Sequence, residues 1–307
     1  MVAGEDEGNE MTLEVRVPVS PTPSFLARAR LIAASVRRFY PDAIVTAYVG
    51  ADADVLDTLA SLPPPDGLLD YKIIARPAFN AWRGTANEYV GTMAARFRPP
   101  YRGDHILMLD ADCLCTHRFD ELFNINAIQG VQAHVPAMSN QEWWRLFHYV
   151  GVDPLPLVCP YSGAGIMCAA NAIGPTYWNT GMLFGPAALF EKIAEPYDSA
   201  LRTLHRAMDS YFFDQIGLTL AVARCGVPTV SLPLRWNFPN QADFDTAHPN
   251  ELAEVRFLHF LRTDTIDRDR DFASREATER LVARRDLTGS NEAFRWHVET
   301  LLDQVWP

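Results

Sequence analysis

The segment His105-Ile-Leu-Met-Leu-Asp-Ala-Asp-Cys-Leu-Cys115 holds the residues best placed to do chemistry. An apolar run stops abruptly at Asp110-Ala111-Asp112. Such a run reads as a strand buried on both faces, and in an open α/β sheet ligands bind beyond the carboxyl ends of the strands. Two carboxylates placed there repel each other and are costly to bury unless a cation neutralises them. Hard divalent ions such as Mg²⁺ and Mn²⁺ take oxygen ligands of this kind. The chemistry that wants such an ion is departure of a diphosphate, whose growing negative charge the ion offsets. Spacing alone is not specific. Asp52-Ala53-Asp54 repeats it, and there the position between a strand and a helix makes capping a sufficient explanation.

The elements that must carry Asp110 and Asp112 follow from hydrophobic period. Residues 13–19 read as a Val-rich strand, broken by Pro21 and Pro23. Phe25, Leu26, Ala29, Ile32, Ala33, Val36, Phe39 and Tyr40 then recur at helical spacing. Residues 44–49 and 71–75 are further strands, with a short helix over 54–62 between them. Thr85-Ala86-Asn87-Glu88 is a capping box opening a helix towards Arg96, and Ser139 to Glu142 is a second, opening an aromatic-rich helix stopped by Gly151. Later strands are expected over 177–184, 229–232 and 254–260, with helices from Pro186 and over 210–225. This βαβα rhythm implies a mostly parallel, doubly wound α/β sheet. Residues 154–190 contain no Asp, Glu, Lys or Arg but many prolines and glycines. They read either as an irregular buried loop plus a central strand, or as an acceptor-binding wall, lid or subunit interface.

The 307 residues include 38 acidic and 27 basic ones, a formal net charge of −11. That balance excludes the basic footprint of a nucleic-acid binder and the polybasic face that docks on anionic lipid. A small anionic ligand remains open if something local supplies positive charge. Five cysteines without a C-x-x-C pair give neither a disulfide framework nor a zinc knuckle. Residues 1–10 read as a disordered acidic leader rather than a signal peptide, and no apolar run reaches membrane-span length. A reducing cytoplasm is the simplest compartment, and a homo-oligomer stays open.

Leu109-Asp110-Ala111-Asp112 resembles the metal motif of nucleotide-sugar glycosyltransferases of the GT-A fold. Further pieces resemble, in order, the retaining glycogenin-like and bacterial galactosyltransferase-like group: Tyr177-Trp178-Asn179-Thr180-Gly181-Met182, Asp214-Gln215, Leu232-Pro233-Leu234-Arg235-Trp236-Asn237-Phe238, and Val255-Arg256-Phe257-Leu258-His259-Phe260. The resemblance implies a GT-A domain over 11–265 with a helical extension, 266–307, packed on it. It implies that Asp110, Asp112 and His259 hold Mn²⁺ or Mg²⁺, with an ordinary core histidine as the competing reading of His259. Val17, Pro18, Val19 and Ser20 would cradle the base of a UDP-sugar, with Asp110 and Ala111 beside the nucleotide. Asn179 and Gly181 would line the sugar pocket, and Asp214 and Gln215 would stand near the anomeric carbon. Arg96 is read either as a donor contact or as a surface salt bridge. The group's Gly and Lys-Pro-Trp after the histidine are missing, and Arg262 is the substitute for the lysine charge.

The partners implied are a nucleotide-sugar donor and a small-molecule or glycan acceptor. The only Glu-Asp pair, Glu5-Asp6, falls in the leader, so the best remaining candidate for an inverting base is Asp209. The Asp-Gln and Asn-Thr-Gly pieces favour retention. Trp143, Trp144, His148 and Trp178 are candidates for stacking on an acceptor, against the commoner role of filling a core. Two alternatives are a degenerate transferase that only binds a nucleotide sugar, and a sugar-phosphate nucleotidyltransferase. The latter would need a Gly-rich loop after the first strand, where Val17 to Pro23 has no glycine.

Overall fold

The computed structural model describes residues 11–50, 62–63, 66–74, 90–208, 210–261 and 264–307. The readings placed on residues 1–10, on the Asp52/Asp54 pair and the helix after it, on the Thr85 capping box, on Asp209 and on Arg262 fall outside those residues. In chain order the elements are β1 (Leu13–Val19), α1 (Pro23–Arg37), β2 (Ile44–Gly50), β3 (Asp70–Ile74), α2 (Val90–Ala95), β4 (His105–Leu109), β5 (Cys113–Cys115), β6 (Ile128–Gln132), α3 (Asn140–Tyr149), β7 (Cys159–Pro160) and β8 (Ile173–Gly174). They continue with β9 (Trp178–Pro186), α4 (Ala187–Ala207), α5 (Phe213–Cys225), β10 (Thr229–Leu232), β11 (Phe238–Pro239), α6 (Ala242–Ala247), α7 (Pro249–Ala253), β12 (Phe257–His259), α8 (Arg275–Ala283) and α9 (Gly289–Val305).

Seven strands form one sheet in the order β10-β6-β9-β4-β1-β2-β3. β1 is parallel to β2 and β4, β2 to β3, and β10 to β6, while β9 runs antiparallel to both its neighbours. This is the mostly parallel α/β architecture that the βαβα rhythm implies. Leu107 and Leu109 of β4 enter the core shared with α1, α8 and α9, and Ile106 and Met108 enter the core shared with α3, α4 and α5. With both faces covered, β4 has no position for a polar residue between His105 and the end of the sheet at Asp110.

Local signals set the helix ends. Pro23 is the first residue of α1 and Thr22 caps it. Ser139 and Glu142 form the reciprocal capping box. Gly226 ends α5 in the left-handed region at φ 56°, a conformation that costs glycine little. β6 escapes the sequence reading because Gln129 and Gln132 interrupt its apolar pattern. Both are buried, with their amides donated to the Leu122 and Pro175 carbonyls at 3.0 and 2.7 Å. The uncharged run also departs from expectation before β9. It is no buried loop, since Val158 and Ile173 are exposed, and the two-residue strands β7 and β8 pair within it.

A second, three-stranded sheet matters more for the site. β12 pairs antiparallel with β5, setting His259 opposite Cys113, and β11 lies parallel to β12. Behind it α9 packs on α1, where Arg30 donates to the Val305 and Gln304 carbonyls at 3.0 and 2.9 Å and satisfies the end of α9. Among the described residues no helix is long and apolar enough to cross a membrane.

His297 of α9 makes this packing acid-sensitive. Burial, reinforced by Arg38 and His117, pushes its imidazole down to about 4 from 6.5. Its contribution to stability is therefore complete above 6.5 and is lost as pH falls from 6.5 towards 4, by roughly 2–3 kcal/mol. Urea unfolding at about pH 7 and about pH 4.5 should show His297→Gln losing less stability on acidification than the native chain, by about that amount. Equal acid losses in the two proteins would contradict the assignment.

Candidate functional site

The site forms where β4 ends. The Asp110 N–H donates to the Gly181 carbonyl at 3.0 Å, the Cys113 N–H to the Asp110 carbonyl at 3.1 Å, and the Phe260 N–H to the Asp112 carbonyl at 2.8 Å. The Asp110-Ala111-Asp112 turn is thereby clamped between β9 and β12. The β5–β12 register then carries His259 to Asp112, with Nε2 3.1 Å from Oδ1. Gly181 makes the room. A Cβ at 181 would lie 2.5 Å from His259 Cε1 and 2.8 Å from Asn179 Oδ1. The glycine of Asn179-Thr180-Gly181 thus answers a need for space, and Asn179 Oδ1 accepts its N–H at 2.8 Å.

Arg96 is no surface salt bridge. It is wholly buried, donating from Nη1 to Asp110 Oδ1 and from Nη2 to the Thr180 carbonyl, both at 3.0 Å. Thr180 Oγ1 donates to Asp214 Oδ2 at 2.8 Å, so one network runs from Asp110 through Arg96 and Thr180 to Asp214. Arg16, buried in β1, fixes the backbone that carries Arg96, donating to the Arg96, Arg98 and Pro100 carbonyls at 3.0, 2.7 and 2.6 Å. Asp214 sits in the first turn of α5, where the helix dipole favours an anion.

Two further guanidiniums occupy the cleft. Arg268 Nη1 donates to Asp112 Oδ2. Arg28 lies 4.0 Å over the Phe25 ring and 3.4 Å from Asp269. Neither is among the sequence candidates. For Arg28 a signal existed: it interrupts an Ala- and Leu-rich helix that is buried from Leu26 to Val36, and a charge inside such a stretch needs a partner. For Arg268, in a charged segment, composition carried none.

These contacts split the carboxylates. Burial raises the Asp110 carboxyl, against the pull of Arg96 and with the push of Asp112. Burial acts the same way on Asp112, but His259, Arg268 and Arg28 outweigh it and hold that carboxyl well below the usual range. Asp214 is raised by burial despite its Thr180 bond. Burial brings Arg28 down to about 10, opposed by Asp112 and assisted by Arg268.

A cleft of about 270 Å³ opens here, lined by Pro18, Val19 and Ser20, by the Asp110-Ala111-Asp112 turn, and by Asp214, Gln215 and Arg268. Val17 is turned into the core instead. Arg96, Asn179, Gly181 and His259 do not line the cleft; Arg96, Gly181 and His259 hold Asp110, Thr180 and Asp112, which do, and Asn179 holds Gly181. Gln215 Oε1 is buried without a partner among the described residues. Trp143 and Trp178 are fully buried and fill the core rather than stack on a ligand, whereas Trp144 is exposed and stacks on His148 at 5.9 Å.

The donor set suits a hard divalent ion. Adjacent ligands bound at about 2.1 Å stand about 3 Å apart, and Asp112 Oδ1 and His259 Nε2 meet that spacing at 3.1 Å. Carboxylate with imidazole is a set that Mn²⁺ accepts. Cys113 Sγ belongs to the same cluster, within 4.8 Å. It is engaged with the Gly181 carbonyl at 3.0 Å, and burial pushes its thiol well up.

The sheet order and the placement of the acidic turn define a GT-A fold. The chain is similar in structure to the galactosyltransferase LgtC in complex with donor and acceptor sugar analogues, at a TM-score of 0.52 and 13% identity over 95% of each chain. It is likewise similar to an active-site mutant of LgtC, at a TM-score of 0.56 and 13% identity over 94% of this chain and 95% of that one. Identity this low speaks for the fold. No protein-family model and no curated protein matches the sequence.

The Arg96–Asp110 pair is open to a direct test. Arg96→Met leaves Asp110 unpaired, and should cost about 2–3 kcal/mol, somewhat less than a fully buried pair because Asp110 keeps 24% exposure. Urea unfolding should show the double variant Arg96→Met/Asp110→Asn recovering much of that loss; strictly additive losses would contradict the coupling.

Proposed function

We propose that this protein is a glycosyltransferase that moves a sugar from a nucleotide diphosphate donor, a UDP-sugar, to an acceptor hydroxyl with retention of configuration. The observation that carries the reading is the contact of His259 with Asp112 in the turn after β4, which also carries Asp110, beside a cleft lined by Asp110, Asp112, Pro18 to Ser20 and Asp214-Gln215. The donor and acceptor analogues bound by LgtC support the same two ligand classes here.

Asp110, Asp112 and His259 would hold Mn²⁺ or Mg²⁺. Such an ion, when bound, offsets the negative charge that grows on the departing diphosphate. The chain's own residues do the rest. The backbone from Pro18 to Ser20 receives the base. Arg96 favours the ionised form of Asp110 and fixes its orientation. Gln215 brings a buried acceptor with no donor among the described residues, a need that a sugar hydroxyl meets. Asp214, held by Thr180, presents negative charge to the cleft wall where positive charge develops at an oxocarbenium-like anomeric carbon. With no Glu-Asp pair beyond residues 5 and 6, that placement supports retention.

Hydrolysis of a panel of UDP-sugars tests the reading. Chelator-treated protein should release sugar at the background rate, and Mn²⁺ should restore release by about tenfold or more. Asp112→Asn and Gly181→Ala should each lose that restoration while keeping the native circular dichroism, the second because it displaces His259 without touching a charge. Full activity of Asp112→Asn in excess chelator would sink the proposal. UDP binding without release or transfer would point to a nucleotide-sugar-binding protein, the reading favoured by the missing Lys-Pro-Trp.

A further inference from the structure

Both carboxylates of the Asp110/Asp112 pair have an arginine partner, but the two arginines are held differently. Arg96 is buried and anchored at two acceptors. Arg268 keeps 31% of its side chain exposed, and its guanidinium has one partner among the described residues, Asp112 Oδ2. Its backbone is pinned separately. Ser24 Oγ donates to the Arg268 carbonyl at 2.8 Å, and Asp267 Oδ1 accepts the N–H groups of Asp269 and Arg270 at 3.1 and 3.0 Å. Side-chain rotation alone can therefore take the guanidinium off Asp112 while Arg268 stays on the cleft wall. Asp112 itself is fully engaged, with Oδ1 at His259 and Oδ2 at Arg268. A divalent ion and a guanidinium on one carboxylate repel at short range, so the two are competitors for it.

We infer that Arg268 stands in for the divalent cation at Asp112 in the metal-free protein, and that cation binding releases its guanidinium to grip the diphosphate of the donor. This rests on the metal-dependent donor reading above and adds what neutralises Asp112 before the ion arrives. A planar fork freed beside the ion is well shaped for phosphate oxygens. Arg28 is the internal contrast: it is 2% exposed, engaged with Asp269 and the Phe25 ring, and makes no hydrogen bond to Asp112.

Two calorimetric titrations of the chelator-stripped full chain decide it. With Mn²⁺ alone, Arg268→Gln should bind about fivefold more tightly than the native chain, because no guanidinium has to be displaced. With Mn²⁺ saturating, the same variant should bind UDP about tenfold more weakly, with uridine affinity unchanged. The opposite signs are the signature of an exchange, which a merely structural ion pair would not produce. Arg268→Lys, which keeps the charge without the fork, should fall between the two in both titrations and guards against misfolding of the glutamine variant. Unchanged or weaker Mn²⁺ binding in Arg268→Gln, or unchanged UDP binding, would overturn the inference while leaving the metal reading intact. If neither protein binds Mn²⁺, the metal reading has failed and the exchange falls with it.

Discussion

Two like charges at the end of a buried strand set the central constraint on this fold. β4 is covered on both faces, so Asp110 and Asp112 emerge where solvent can help only partly, and each needs a positive partner. Much of the surrounding structure supplies one. Arg16 holds the carbonyls after α2, which places Arg96 on Asp110. The β5–β12 pairing brings His259 to Asp112, and the segment before α8 brings Arg268. The network from Asp110 to Asp214 then ties the acidic turn to the first turn of α5.

Legibility in the sequence followed how local each cause was. β1, β2, β4, α1, α3 and α5 announce themselves through period, proline, capping box and terminal glycine, all effects within a few residues. β6 does not, because its glutamines are satisfied by carbonyls at residues 122 and 175 that no local pattern reveals. The same division holds in the site. Asp110 and Asp112 stand out at the end of an apolar run, and His259, Asn179, Gly181, Asp214 and Gln215 came from a resemblance in motif order. The reason Gly181 must be glycine is a contact with His259, 78 positions away, and is visible only in three dimensions. Arg96 stands out as either a donor contact or a surface salt bridge, and its burial is not legible, since burial of an arginine depends on its carboxylate partner. Arg268 is not legible because its partner lies on another element, whereas Arg28 carries a local signal as a charge within a buried helix.

The charge arithmetic gains a local answer. An excess of 11 negative charges argues against polyanionic partners, and an acidic turn alone would require a metal for any anion to approach. Arg28 and Arg268 place positive charge on the same cleft wall. An acidic protein can thus present local positive charge at this cleft, to which a divalent ion would add under the metal-dependent reading.

The most direct measurement of this account is an anomalous difference map from crystals grown with Mn²⁺ and UDP. A single strong peak in contact with Asp110, Asp112 and His259, with the diphosphate beside it, is the result the account requires. No peak at Asp112, with its carboxylate still paired to Arg268 while UDP is bound in the cleft, would contradict it.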